Sequence, residues 1–452
     1  MKINLAYGKT RLPIELPGEI TTVIEPKYAQ GIPRADEFDA LTRALREPTA
    51  SAPLRERVNA NDRVAIVICD ITRAIPTARM LPPLLRELEQ AGVRDENIVL
   101  LNATGTHRVN TDEELKRMVG ADVFARYRVE NHECHDDDAH TFVGTTRGGR
   151  TVRVDTRLVD ASVRILTGFI EPHFFAGFSG GPKMVVPGLA SLDTVMQMHD
   201  AQLIGEPNAR WGVTRSNPLW EELRDAAGLA LNVPTLHGAP AVVFNYNVTL
   251  NRDLDITGIF CGDLDASHDA GCAFAREVAM QRVSEPFDIV VTTNSGYPLD
   301  LNLYQTVKGM SAAAQVVKEN GDIVVASECI EGVPAHGKYG ALLRKGSTPE
   351  EWLAMIHAPN FSEHDQWQVQ IQAQIQKKAR VHLYADGLND EEIRAAQIHP
   401  IRDVESTVHE LLQRNRDAKI CVLPEGPQTI PYVESGKQNS ESASGCLKPD
   451  SL

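Results

Sequence analysis

The 452 residues are too many for one compact core and suit two or three domains of ordinary size. Hydrophobic residues make up 42% and charged residues 24%, the balance of a soluble globular protein. With 61 Asp+Glu against 46 Lys+Arg, the net charge of -15 disfavours a general nucleic-acid or anionic-membrane binder, although a local basic pocket could still hold an anion. No apolar run approaches the roughly 20 residues of a membrane helix, and the start MKINLAYGKT lacks the apolar core of a signal peptide. Seven scattered cysteines without a CxxC pair read as buried apolar thiols rather than a disulfide framework. A cytoplasmic enzyme is the expectation.

In chain order, Arg63–Cys69 (RVAIVIC) predicts a buried strand and Ala78–Gly92 the helix behind it. Asn97–Asn102 is the next strand, and Thr111 with Glu114 forms a capping box that opens the helix TDEELKRMV. Further strands are predicted at Val163–Ile170, Ala241–Leu250 and Thr257–Cys261, then a long amphipathic stretch at Ala266–Val283. Ser284-Glu285-Pro286 marks a domain junction. Beyond it the pattern restarts with strand Phe287–Thr293, helix Leu303–Lys318, and strands Gly321–Ser327 and Arg380–Ala385. A helix at Val404–Arg414 and a strand at Lys419–Leu423 follow, and the Ser-, Gly- and Lys-rich end from Val433 reads as a mobile tail. Strand-helix alternation of this kind implies α/β layers with largely parallel sheets. Two α/β domains with the active site in the cleft between them are expected. The first takes 1–283, rejoined by 405–432, and the second takes 284–404, with 433–452 as the tail.

The richest segment is Glu171–Lys183, EPHFFAGFSGGPK. Its glycines let the backbone pass close to a ligand, and Lys183 offers a charge or an amine nucleophile. It is not a Walker A loop, because Pro182 follows Gly181 and no Ser or Thr follows Lys183. A plain Gly-rich turn is the competing reading. His107 ends NATGTHR and Asp70-Ile71-Thr72-Arg73 follows the neighbouring strand, both at strand ends where ligands sit in α/β sheets. Arg73 offers a planar fork for a carboxylate or phosphate, or else pairs structurally with Asp70. Gln305 and Lys308, three apart on a helix, share one face. His199 near the end of a helix reads as structural unless other ligands converge on it. The run His132–His140, crowded with His, Cys and Asp, suits a solvated acidic loop better than a metal site. No GxGxxG follows a strand, so an ordinary nicotinamide dehydrogenase has no support.

Taken together, the segments resemble the nickel-dependent lactate racemase family. The resemblance runs in order through DITR at 70–73, ATGTHR at 103–108, PHFFAGFSGGPK at 172–183 and His199. It continues with GYPLDLNLYQTVKG at 296–309, DQWQ at 365–368 and LPEGPQTIPY at 423–432. It implies a nickel-pincer nucleotide derived from nicotinic acid mononucleotide, with nickel held by carbon and two sulfurs and supplied by separate cofactor biosynthesis enzymes. By the same resemblance Lys183 joins the cofactor through a thioamide, and His199 is the remaining nickel ligand. His107 and His173 act as general base and acid from opposite faces of the substrate. Arg73 and Lys308, with Gln305 and Tyr304, hold the substrate carboxylate; Asp70, Ile71, Thr72, Arg73 and Trp367 surround the cofactor. Both histidines are expected to titrate near neutrality. Phe174, Phe175 and the loop 294–300 are candidate pocket walls. The implied activity is racemisation or C2-epimerisation of a 2-hydroxy acid by hydride transfer through a 2-keto acid. Alternatives are a hydro-lyase or oxidoreductase on the same scaffold, a cofactor carrier or maturation protein without turnover, and a zinc hydrolase built on the His132–His140 run. A carrier would need only Lys183 and His199, so the presence of both other histidines speaks against it.

Overall fold

The computed structural model describes residues 1–73, 75–335 and 337–433. The expected tail lies outside the described residues except for Val433, which ends a strand. Val64–Cys69 is a strand with all six residues buried, as a β-branched run covered on both faces should be. It lies inside a six-stranded sheet ordered Ile256–Gly262, Val242–Leu250, Val163–Phe169, Val64–Cys69, Ile98–Ala103, Arg128–Asn131. Only the first pair is antiparallel. Numbered by their sequence, these strands run 6-5-4-1-2-3, the doubly wound order. Its direction reverses between Val64–Cys69 and Val163–Phe169, and a crevice opens at their carboxyl ends.

A second six-stranded sheet is wholly parallel, ordered His399–Pro400, Arg380–Tyr384, Val317–Ala326, Phe287–Thr293, Ile420–Leu423, Thr21–Val23. The expected two α/β units with largely parallel sheets are therefore present. Their membership differs from the sequence reading. Ile420–Leu423 pairs with Phe287–Thr293 in the second sheet, so this strand of 405–432 does not join the first sheet. Thr21–Val23 also pairs there, and the hairpin Lys2–Tyr7/Thr10–Glu15 packs its Leu5 and Ile14 with Val291 and Val422. The strand Ile430–Val433 reaches back, pairing with Met280–Val283, and Glu425 lies 3.4 Å from Arg252.

The capping box at Thr111 and Glu114 is present, as are most predicted strands within a residue or two. The stretch Ala266–Val283 splits into a helix, Leu264–Ala279, and the strand Met280–Val283. The helix from Leu303 stops at Ala314, and the next strand begins at Val317 with a register irregularity before Gly321. All six described cysteines are buried and free. One apolar cluster runs unbroken from Val67 and Leu166 through Phe174, Phe175 and Trp211 to Leu303, Val307 and Trp367 of the second unit. Trp211 Nε1 donates across the same boundary to Ser311 Oγ at 3.0 Å. Among the described residues no helix is long and apolar enough to cross a membrane.

Candidate active site

The strand Val64–Cys69 delivers Asp70–Arg73 into the crevice, and the adjacent Ile98–Ala103 delivers His107. Asp70 is buried, accepts from Thr72 Oγ1 at 2.8 Å, and meets His107 Nδ1 at 2.9 Å. Burial alone would raise the Asp70 carboxyl, but the hydrogen bond and charge of His107, with Thr72 and Arg73, hold it below its ordinary value. An ionised Asp70 places a proton on His107 Nδ1 and leaves Nε2 of the neutral ring as a lone pair. Ile71 contributes only its backbone N–H, donated to Asn110 Oδ1 at 3.2 Å.

On the other side of the switch point, Val163–Phe169 leads into Glu171–Lys183. This segment makes a two-residue hairpin, Pro172–His173 against Gly177–Phe178, then a 3-10 turn carrying Lys183. Two buried side chains from elsewhere fix the loop. Asn247 Oδ1 accepts from the Gly181 N–H at 2.8 Å while its amide donates to Leu166 O, and His268 Nε2 donates to Ser179 O at 2.9 Å. A Cβ on Gly181 would stand 2.5 Å from the His268 ring, and its φ of +53° favours glycine in any case.

Phe175 is the hub of the site. His173 meets it edge-on at 4.6 Å between ring centroids, His199 edge-on at 5.5 Å, and Lys183 Nζ lies 5.6 Å from its centroid. Desolvation, then the charges of Arg73 and Lys308, push the Lys183 amine well below the usual lysine range, against the opposing pull of Glu171. His173 is also pushed far down, first by burial and then by Lys183, Arg73, Lys308 and His199. This corrects the expectation that both histidines titrate near neutrality. His173 Nδ1 accepts from the backbone N–H groups of Ala176 at 3.2 Å and Phe175 at 3.5 Å, which places the proton of its neutral ring on Nε2.

His199 caps the helix Leu192–Met198, and its Nδ1 donates to Val195 O at 2.9 Å. Burial lowers it to about 4, so the imidazole is neutral with Nε2 available as a donor to a metal. Trp367 of the second unit packs on His199 at 4.8 Å and donates from Nε1 to Tyr304 OH at 3.1 Å. Tyr304, Gln305 and Lys308 all lie on the helix Leu303–Ala314, which follows the loop after Phe287–Thr293. Burial and the charge of Arg73 lower Lys308 to about 8, with Glu171 and Asp70 opposing. No hydrogen bond among the described residues ties the Gln305 side chain to the others; its backbone N–H caps on Asn302.

The structure thus draws Asp70, Thr72, Arg73, His107, His173, Lys183, His199, Tyr304, Lys308 and Trp367 toward one cleft. The His132–His140 run does not assemble a site. His132 is fully buried, with Nδ1 3.3 Å from Asp155 and Nε2 on Ala190 O, so it is a structural tie rather than part of a solvated loop. Among the described residues no group of three or more His, Cys, Asp or Glu is arranged to hold a metal. Sequence reasoning gave no role to Glu171, whose carboxylate meets Arg73, or to Asn247 and His268 behind the loop. The only signal for Asn247 was a pair of asparagines in the otherwise apolar strand Val242–Leu250.

A doubly wound sheet and a second, parallel sheet, with Asp70, Arg73 and His107 following strands of the first and Lys308 on a helix of the second, define a two-domain α/β architecture. Models of the lactate racemase N-terminal and C-terminal domains match residues 7–212 and 283–430. The lactate racemase of Thermoanaerobacterium thermosaccharolyticum is 33% identical over 438 residues, 95% of this chain and 98% of its own length. That of Lactiplantibacillus plantarum is 33% identical over 428 residues, 94% of this chain and 98% of its own. The structure of the Thermoanaerobacterium lactate racemase apoprotein superposes with a TM-score of 0.87 at 31% identity, covering 95% of this chain and all of that one. A crystal structure of a Thermotoga maritima protein, 19% identical over 90% of this chain and all of that one with a TM-score of 0.67, shares the fold. The chain belongs to the lactate racemase family and is an isomerase.

Proposed function

We propose that this enzyme inverts C2 of a 2-hydroxy monocarboxylic acid, lactate or a larger analogue, using a nickel-pincer nucleotide. The observation that carries the reading is the pairing of two imidazoles in different electrostatic settings with Arg73 and Lys308 at one switch-point crevice. The residues suit the cofactor. His199 is a neutral imidazole whose Nδ1 is already engaged, leaving one nitrogen for a soft-ligated nickel. Lys183 is held toward its unprotonated form, as an amine that joins a carbonyl or thiocarbonyl carbon must be. Trp367, Asp70 and Thr72 would line the group. When bound, it supplies a reversible hydride acceptor for the hydrogen on C2.

The protein's own part is positioning and proton handling. Arg73 and Lys308 hold the substrate carboxylate, with Gln305 and Tyr304 beside them, and keep a planar 2-keto acid from leaving before inversion is complete. His107, backed by Asp70 at Nδ1, takes the hydroxyl proton at Nε2. His173 faces the substrate from the other side and returns the proton from Nε2 as an imidazolium, the form that the bound carboxylate's charge favours against burial and the neighbouring cations. Protonating Nδ1 breaks the contacts it accepts from the Ala176 and Phe175 N–H groups at 3.2 and 3.5 Å, so the imidazolium forms only beside the substrate's anion. Phe174 and Phe175 exclude water from the intermediate.

The test is to supply 2-deuterated substrate to protein produced together with the cofactor-making enzymes. Inversion with deuterium retained at C2 supports the reading. Exchange of that deuterium with solvent points to proton abstraction and removes it. The clamp also gives a pH dependence. Lys308 carries its charge below about 8 and loses it as pH rises through that value, so kcat/KM should fall there. Lys308→Arg, which stays cationic, should flatten that alkaline limb in a pH-rate profile.

A further inference from the structure

We propose that Glu171 is a positioning residue that sets the guanidinium of Arg73 for the substrate carboxylate and ties that anchor to His173. The inference rests on the functional reading above. Arg73 leaves the end of Val64–Cys69 and Glu171 leaves the end of Val163–Phe169, so their contact bridges the switch point. Arg73 Nη1 donates to Glu171 Oε1 at 3.0 Å. Both side chains are 30% exposed, and an ion pair that open to water contributes little to a fold. The consequence of the contact therefore lies in where it holds the guanidinium.

Glu171 is itself anchored. Its backbone N–H donates to Ser179 Oγ at 3.0 Å, and its carbonyl accepts from the Ser179 N–H at 2.9 Å. Ser179 Oγ in turn donates to Phe169 O. Two residues further on, His173 sits in the paired hairpin. With Nη1 engaged by Glu171, the remaining guanidinium N–H groups, which have no hydrogen-bond partner among the described residues, form the edge open to a carboxylate. That edge then stands at a fixed offset from His173, because one rigid turn carries both Glu171 and the histidine. Without Glu171, the long Arg73 side chain must be ordered by the substrate at each binding event.

The test is a double-mutant cycle on the holoenzyme with a single enantiomer as substrate. Glu171→Ala should raise KM about tenfold and change kcat less than about threefold, the split expected of lost ground-state anchoring. Glu171→Gln, whose amide oxygen still accepts from Nη1, should keep KM within about threefold of the parent. In an Arg73→Ala background, Glu171→Ala should have no further effect on KM. An equal loss in that background, an unchanged KM in the single variant, or a fall in kcat without a rise in KM would each overturn the role. A parent enzyme that inverts no 2-hydroxy acid would instead overturn the functional reading, which separates the two failures.

Discussion

Lys183→Ala, produced alongside the cofactor-making enzymes, should yield a chain of apoprotein mass with racemisation reduced at least about a thousandfold. The loop around Lys183 is fixed by Asn247 and His268 rather than by the lysine, so the variant should fold. Removing an amine that burial and the charges of Arg73 and Lys308 already disfavour as a cation should leave the melting temperature of the apoprotein level or slightly higher. Lys183→Arg is the control: it keeps a long nitrogen-bearing side chain in place but offers no amine for a stable linkage, and should be equally inactive. His199→Ala should separate the two attachments. Its chain should gain mass at Lys183 yet retain little nickel through dialysis, read by intact mass together with metal analysis. A Lys183→Ala enzyme with parent-like turnover would exclude the covalent assignment.

Removing either histidine of the acid–base pair should cost about 10²–10⁴ in kcat/KM. For a substrate with a single stereocentre the two enantiomers have equal free energy in water, so the equilibrium constant is one. Any variant must therefore lose kcat/KM equally in both directions, and a measured asymmetry would indicate a second, non-racemising reaction. His107→Ala should be the cleaner of the two. That side chain is 50% exposed, so its own burial contributes little, but its loss leaves the buried Asp70 without its partner and should lower the melting temperature by a few degrees. His173→Ala also removes the acceptor of two backbone N–H groups, so its stability must be recorded beside its rate. Chiral chromatography of each enantiomer against time, with both single variants and the double, checks this. Parent-like rates in the double variant would remove the histidines from the mechanism.

Much of the frame was legible because local physics decided it. Phe287–Thr293 and Val404–Arg414 have the bounds their patterns predict, one a buried β-branched run and the other an amphipathic helix started by Asp403. The helix Gln366–Lys378 was hidden. Its sequence QWQVQIQAQIQKK alternates glutamine with apolar residues, a period that suggests a strand, yet Gln366, Gln368, Gln370 and Gln372 are all buried in a helix. Gln370 donates to Ala201 O and Gln372 to Ala396 O, long-range partners that no local pattern reveals. The site divided in the same way. His107, His173 and Lys183 stand in short motifs and His199 was singled out only through the family resemblance, while the contact of Glu171 with Arg73 showed only once the fold set their strands side by side. The low proton affinity of His173 was likewise invisible, because burial produces it first, joined by Lys183, Arg73 and Lys308 from three separate segments.

The membership of Thr21–Val23 in the second sheet has a consequence for synthesis. Its hydrogen-bonding neighbour, Ile420–Leu423, lies about 400 residues downstream. At the ~5–20 residues per second of translation, the N-terminal segment waits tens of seconds on the ribosome before that neighbour emerges. The first sheet, whose strands fall between residues 64 and 262, can close during that interval. The second sheet is finished only when the chain is nearly complete.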